Sequence, residues 1–268
     1  VNSVSKFWRV IAVIVLSAII MFPISYWGFF GASASALSGV RYPSRVAVFG
    51  DSLTFEAEPY YVTLIHRGAD TALTYDSFGG TAICDWFPTM REVESRDHPR
   101  AVELEFSGNA LTPCMRRFAR PAQAYFQKYY ADAEEAIHIF VPAGTHVYLV
   151  GAPVDRKRLG WSNGNTLNMQ YARIAATDPQ HVTYVDAGSA VEGPGHTYAR
   201  TLPCLPIEPC TGPVVNSTPS NLVRARDGIH FCPVTSGNKK GVIARCPVYS
   251  SGAFRYARAM VAALATSV

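Results

Sequence analysis

Arg45-Val46-Ala47-Val48-Phe49-Gly50-Asp51-Ser52-Leu53 decides the fold. Its first five residues form a short apolar, β-branched run, which suits a strand buried on both faces. Gly50-Asp51-Ser52 then turns the chain, and a stretch of helical character follows over Phe55–Arg67. Further runs of strand type stand at Ala72–Tyr75, Ala101–Phe106, His146–Val150 and His181–Val185. Helical stretches over Pro121–Ile139, Thr166–Thr177 and Ser251–Leu264 alternate with them or close the chain. Strands alternating with helices are joined by right-handed crossovers, which gives a mostly parallel sheet covered on both faces. The sequence therefore predicts an α/β protein, a three-layer α/β/α sandwich with five mainly parallel strands. Asp186–Ser250 breaks the alternation, being dense in Pro, Gly and Cys, and is expected to be a long loop region near the site.

Open parallel sheets gather their chemistry outside the carboxyl ends of the strands, and Ser52 falls there. The helix after it offers unsatisfied backbone N–H groups and a partial positive charge, both suited to a developing oxyanion. A serine in that position is also an ordinary helix cap. Arg226-Asp227-Gly228-Ile229-His230 supplies what a cap does not need. An aspartate three residues before a histidine can hold the imidazole Nδ1–H and turn Nε2 toward a nucleophile, and a serine hydroxyl requires such a base. Ser77-Phe78-Gly79-Gly80-Thr81 follows the second strand, where glycine lets backbone N–H approach a substrate. Ser107-Gly108-Asn109 follows the third, where a side-chain amide can donate to an oxyanion. All of these lie on one rim. Tyr60, Tyr61, Trp86 and Trp161 are candidates for an aromatic wall, although core packing is the ordinary role of such residues.

The order Gly50-Asp51-Ser52-Leu53, Gly79-Gly80, Asn109 and Asp227-x-x-His230 resembles the SGNH (GDSL) hydrolase superfamily, over about Arg45 to Ala263. The resemblance implies a flavodoxin-like sheet, Ser52 as nucleophile and oxyanion donor, Gly80 and Asn109 as further donors, His230 as base and Asp227 as its partner. Two departures stand. The third block of the family usually reads Gly-x-Asn-Asp, whereas Ser107-Gly108-Asn109-Ala110 occupies it here, and the second block leaves Gly79 beside Gly80 as an alternative. The Cys-rich tail, with Phe231-Cys232-Pro233 and Cys246-Pro247, is similar to that of exported bacterial members, some of which act on acylated envelope glycans.

From Val10 to Val40 no residue is charged, and Val10–Phe30 is apolar almost throughout. About 20 such residues span a bilayer core. Lys6 and Arg9 before the run and Tyr26, Trp27, Phe29 and Phe30 at its end place the amino terminus in the cytoplasm and the remainder outside. A cleaved signal peptide is the other reading, since Ala32-Ser33-Ala34 has the small-residue pattern of a cleavage site; both export the domain. The expected organisation is an anchor over 1–31, a stalk over 32–44 and a catalytic domain over 45–268.

Six cysteines, all after the apolar run, fit three disulfides in an oxidising compartment, and chain proximity suggests Cys84–Cys114, Cys204–Cys210 and Cys232–Cys246 among 15 connectivities. The net charge is +4, of which Lys6 and Arg9 supply half, too little for a nucleic-acid surface. No metal or other cofactor is expected, because no Cys-x-x-Cys and no helical His pair is present. The expected activity is ester hydrolysis or O-acyl transfer on an acylated envelope glycan or lipid, through an acyl-enzyme on Ser52. The alternative is an anchored accessory subunit that keeps the fold and docks into a larger envelope complex.

Overall fold

The computed structural model of the chain describes residues 40–67, 70–156, 164–233 and 246–267. The apolar segment expected to be an anchor lies outside them, as does Trp161. Among the described residues no helix is long and apolar enough to cross a membrane.

Five strands form the central sheet: β1 (Arg45–Gly50), β2 (Ala72–Ser77), β3 (Ala101–Glu105), β4 (His146–Val150) and β5 (Val182–Val185). Their order is β2-β1-β3-β4-β5 and every pairing is parallel. That order is the flavodoxin-like one, with its switch point at β1, where the crevice outside the strand ends opens. The expected α/β class and parallel sheet are both present.

The alternation of side chains along β1 builds two cores. Ala47 and Phe49 face α2 (Phe87–Asp97), α3 (Ala122–Phe140) and α4 (Gly164–Thr177), packing with Val93, Tyr129 and Tyr171. Val46 and Val48 face α1 (Ser52–Ile65) and α5 (Ser251–Ala263), packing with Ala57, Tyr61, Tyr256 and Met260. Two helical layers thus sandwich the sheet. α2 buries only Met90 and Val93 fully, with Phe87 packed at the edge of the core, in a largely polar stretch, and for that reason its sequence does not stand out as a helix.

The described residues of the Asp186–Ser250 region carry short regular elements. Ala187–Val191 forms a short 3-10 helix, Glu192–Gly193 pairs antiparallel with Thr197–Tyr198, and Thr201–Pro203, Thr218–Leu222 and Val214–Val215 form a small antiparallel sheet. Turns at Gly195 (φ 68°), Asn216 (φ 48°) and Ser217 (φ 61°) reverse the chain. The three disulfides are Cys84–Cys114, Cys204–Cys210 and Cys232–Cys246, as chain proximity suggested.

Candidate active site

β1 ends at Gly50, and α1 begins at Ser52, earlier than the helical pattern from Phe55 suggests. The cap is Asp51, whose Oδ1 accepts from the Leu53 N–H at 3.0 Å. Ser52 is therefore released from capping, and its hydroxyl is free for another partner. That partner is His230, whose Nε2 lies 2.9 Å from Ser52 Oγ. On the far side of the ring, Nδ1 lies 2.6 Å from Asp227 Oδ2. Asp227 Oδ1 accepts from the Ile229 and His230 N–H groups at 2.8 and 3.1 Å, so the carboxylate is fixed by its own turn. Gly228, at φ 78°, makes that turn. The chain separation between Ser52 and His230 is 178 residues, and the fold closes it to a hydrogen bond.

The electrostatics suit a base. Burial alone would pull the His230 pKa down, but the Asp227 hydrogen bond and the charges of Glu56, Asp227 and Asp51 raise it above the ordinary 6.5. Asp227 itself is pushed up by burial and held below the usual carboxylate range by the His230 ring and the two turn N–H groups. The pair therefore favours an imidazolium beside a carboxylate, the state reached once the serine proton has moved.

Asn109 reaches the same rim by a route the sequence does not reveal. Asp51 Oδ2 accepts from Ser107 N–H at 2.8 Å, Ser107 Oγ–H at 2.6 Å and Asn109 Nδ2–H at 2.8 Å. One amide hydrogen of Asn109 is thus held, and the second is left to donate to substrate. The carbonyls of Gly108 and Asn109 accept from Tyr125 and Tyr129 hydroxyls, each at 2.7 Å. Gly80 sits in the turn after β2 at φ 83°, and Phe78 N–H ties that turn to the Gly50 carbonyl at 3.1 Å. Among the described residues no hydrogen bond uses the backbone N–H of Gly80 or of Ser52. These two N–H groups and one hydrogen of the Asn109 amide are thus without a partner among the described residues.

Beside Ser52, Asp51 and Glu105 form a pair of buried carboxyls. Glu105 accepts from Thr54 N–H and Oγ–H at 3.2 and 2.6 Å, and burial followed by the charge of Asp51 drives its pKa well up. Burial raises the Asp51 pKa as well, while its four donors pull it down, so of the two Glu105 is the one pushed further toward the neutral acid. A pocket of about 140 Å³ adjoins the triad, lined by Leu53, Ser107, Asn109, Asp155, Arg224 and Ile229. Arg224 is 2% exposed and donates to the Val154 and Gly228 carbonyls at 3.2 and 3.3 Å, pinning the catalytic turn. Of the aromatic candidates, Tyr61 and Trp86 take the ordinary core role. Tyr61 is wholly buried in the core, and Trp86 packs against the other core. The exposed apolar side chains on the site-bearing loops are instead Phe78, Leu111 and Ile229.

The fold brings Ser52, His230 and Asp227 into the arrangement that the sequence blocks imply. The chain belongs to the family described as "Protein of unknown function (DUF459)", whose model matches residues 45–240. A search of curated proteins returns no match. Among solved structures, the C-terminal catalytic domain of peptidoglycan O-acetyltransferase A from Streptococcus pneumoniae is 16% identical, and the match covers 84% of this chain and 94% of that one at a TM-score of 0.48. A catalytic mutant of the acetylxylan esterase Axe2 from Geobacillus stearothermophilus is 13% identical, with 55% and 77% covered and a TM-score of 0.45.

Proposed function

We propose that the protein is a serine-dependent esterase or O-acyltransferase that forms an acyl-enzyme on Ser52, and that its substrate is a short-chain acylated glycan or lipid of the cell envelope. The observation that carries this reading is the hydrogen-bonded chain Ser52–His230–Asp227 at 2.9 and 2.6 Å. His230 Nε2 takes the Ser52 proton as Oγ attacks the ester carbonyl, and the tetrahedral oxyanion is held by Ser52 N–H, Gly80 N–H and Asn109 Nδ2–H. Collapse expels the alcohol, which takes the proton back from His230 and leaves the acyl group on Ser52. Water or a sugar hydroxyl, deprotonated in turn by His230, then removes it.

The pocket of about 140 Å³ suits a short acyl group; sites for drug-sized ligands begin near ~300 Å³. Three disulfides support an oxidising, extracytoplasmic location, and the apolar run over Val10–Phe30 supports export with the domain facing the envelope.

A fluorophosphonate probe tests the reaction class. The folded wild-type protein is expected to label, and Ser52→Ala and His230→Ala to label at least ~100-fold more slowly. Among 4-nitrophenyl esters, acetate is expected to be turned over faster than octanoate. Absence of labelling by the folded wild-type protein favours the accessory-subunit reading instead.

A further inference from the structure

Glu56 stands one helical turn beyond Ser52 on α1, so the two side chains share a face of that helix. It is 4% exposed. Its Oε2 accepts from the Phe231 N–H at 2.6 Å and from the Cys232 N–H at 3.2 Å, the two peptide groups that directly follow the base. The same short segment is held from other sides. Ala225 N–H donates to the His230 carbonyl at 2.7 Å, Ser250 Oγ–H donates to the Phe231 carbonyl at 2.9 Å, and Cys232 is bonded to Cys246. Among the described residues no lysine or arginine forms an ion pair with Glu56. A buried carboxylate served only by two backbone donors is expensive to keep unless a further positive charge faces it.

We propose that Glu56 is a positioning residue for the general base: it fixes the His230 segment to the helix that carries the nucleophile and acts as a second anion for the imidazolium formed during acylation. This rests on the esterase or transferase reading of Ser52. Asp227, the expected partner, has its side chain 44% exposed, so water weakens its field, whereas Glu56 acts through the protein interior. Burial raises the Glu56 pKa above its ordinary value, and the His230 charge and the two N–H groups oppose that rise. The other groups that face the ring are Asp227 from its own turn and Asp51 and Ser52 from the β1–α1 turn; behind the turn Arg156 N–H donates to the Gly228 carbonyl, and Arg224 lies over the Phe231 ring. From α1, Ser52 meets the imidazole itself, and Glu56 holds the two peptide N–H groups that follow it.

The test uses the full chain with Glu56→Gln and Glu56→Asp, each first checked for folding by circular dichroism. Two quantities are read: the titration of the His230 imidazole by NMR, assigned with His230→Ala, and kcat and KM against pH on 4-nitrophenyl acetate. In Glu56→Gln the imidazole is expected to titrate lower by about half a pH unit or more. The acid limb of kcat/KM should move with it, because the base must be neutral to act. A tenfold or so loss of kcat with little change in KM is expected. Glu56→Asp keeps the charge but shortens the reach, so it should hold the titration near wild type while losing part of kcat. An unchanged imidazole titration in Glu56→Gln, or kcat within about twofold of wild type, overturns the proposal. If no variant and no wild-type protein turns over an ester, the reaction reading falls, and the imidazole titration still decides the role of Glu56.

Discussion

A methyl group at Gly50 would lie 2.0 Å from Thr54 Oγ1 and 2.8 Å from the Glu105 carbonyl oxygen. The glycine of the Gly-Asp-Ser-Leu block is therefore required by packing at the strand exit, without any positive φ. Thr54 cannot yield easily, because its hydroxyl and N–H both bond to Glu105. Gly50→Ala is expected to destabilise the protein by about 1–3 kcal/mol, the usual range for overpacking a filled site. It should also slow labelling of Ser52, since the same displacement moves Asp51 and the start of α1. Thermal melting and the probe rate check this; a variant with wild-type melting and labelling would refute it. At this scale the sequence was informative wherever a role depends on local spacing. Asp227 and His230 are three residues apart, and one turn brings them together. Glu56 was not legible, because its partners are peptide N–H groups 175 residues away and no side-chain pattern marks them.

The loop after β3 shows the same division at the level of elements. Its position at a strand end was legible, and so was the amide of Asn109. What holds it was not, since the family's usual aspartate is Ala110 here and the restraints come from elsewhere. Asp51 fixes the loop from the β1–α1 turn, and α3 fixes it through Tyr125 and Tyr129, one turn apart on the helix face that meets the sheet. Each hydroxyl bond contributes about 1 kcal/mol. Tyr129→Phe keeps the buried ring and deletes only the bond to the Asn109 carbonyl, so the amide is left less well aimed at the oxyanion. A roughly fivefold fall in kcat is expected with KM nearly constant, the sign of an interaction made in the transition state. A rise in KM at constant kcat would assign the loop to ground-state binding instead. The strands were legible because short β-branched or alternating runs recur between the helical stretches. α2 was not, because Met90 and Val93 are too few to show a helical period.

The whole molecule carries acids inside its core, and they set how stability depends on pH. Glu103 and Glu105 point from β3 into the layer formed by α1 and α5, and neither is exposed. Glu103 accepts from the Tyr61 hydroxyl at 2.5 Å, and burial lifts its pKa to about 7. One oxygen of each carboxyl has no partner, which a neutral acid tolerates far better than an anion. Between about pH 4.5 and 7 the folded state thus keeps a proton on Glu103 that the unfolded chain has released. Stability must fall across that window as pH rises, by on the order of 3 kcal/mol from this group. Glu105 acts in the same direction at higher pH, and His230, raised above 6.5, also loses its contribution as pH rises through its folded value. The opposing limb belongs to Glu208. Against the upward push of burial, the Arg255 pair, the Leu205 N–H and the Ser251 hydroxyl hold it at about 2, so its contribution is present above 4.5 and lost as pH falls toward 2. Asp227 adds to that limb. Maximum stability is therefore expected near pH 5, and Glu103→Gln, which cannot ionise, should flatten the decline between pH 5 and 7. Denaturant melts at half-unit intervals decide it. Wild-type stability that rises from pH 5 to 7, or a Glu103→Gln curve parallel to wild type over that range, would show that Glu103 is ionised in the folded core.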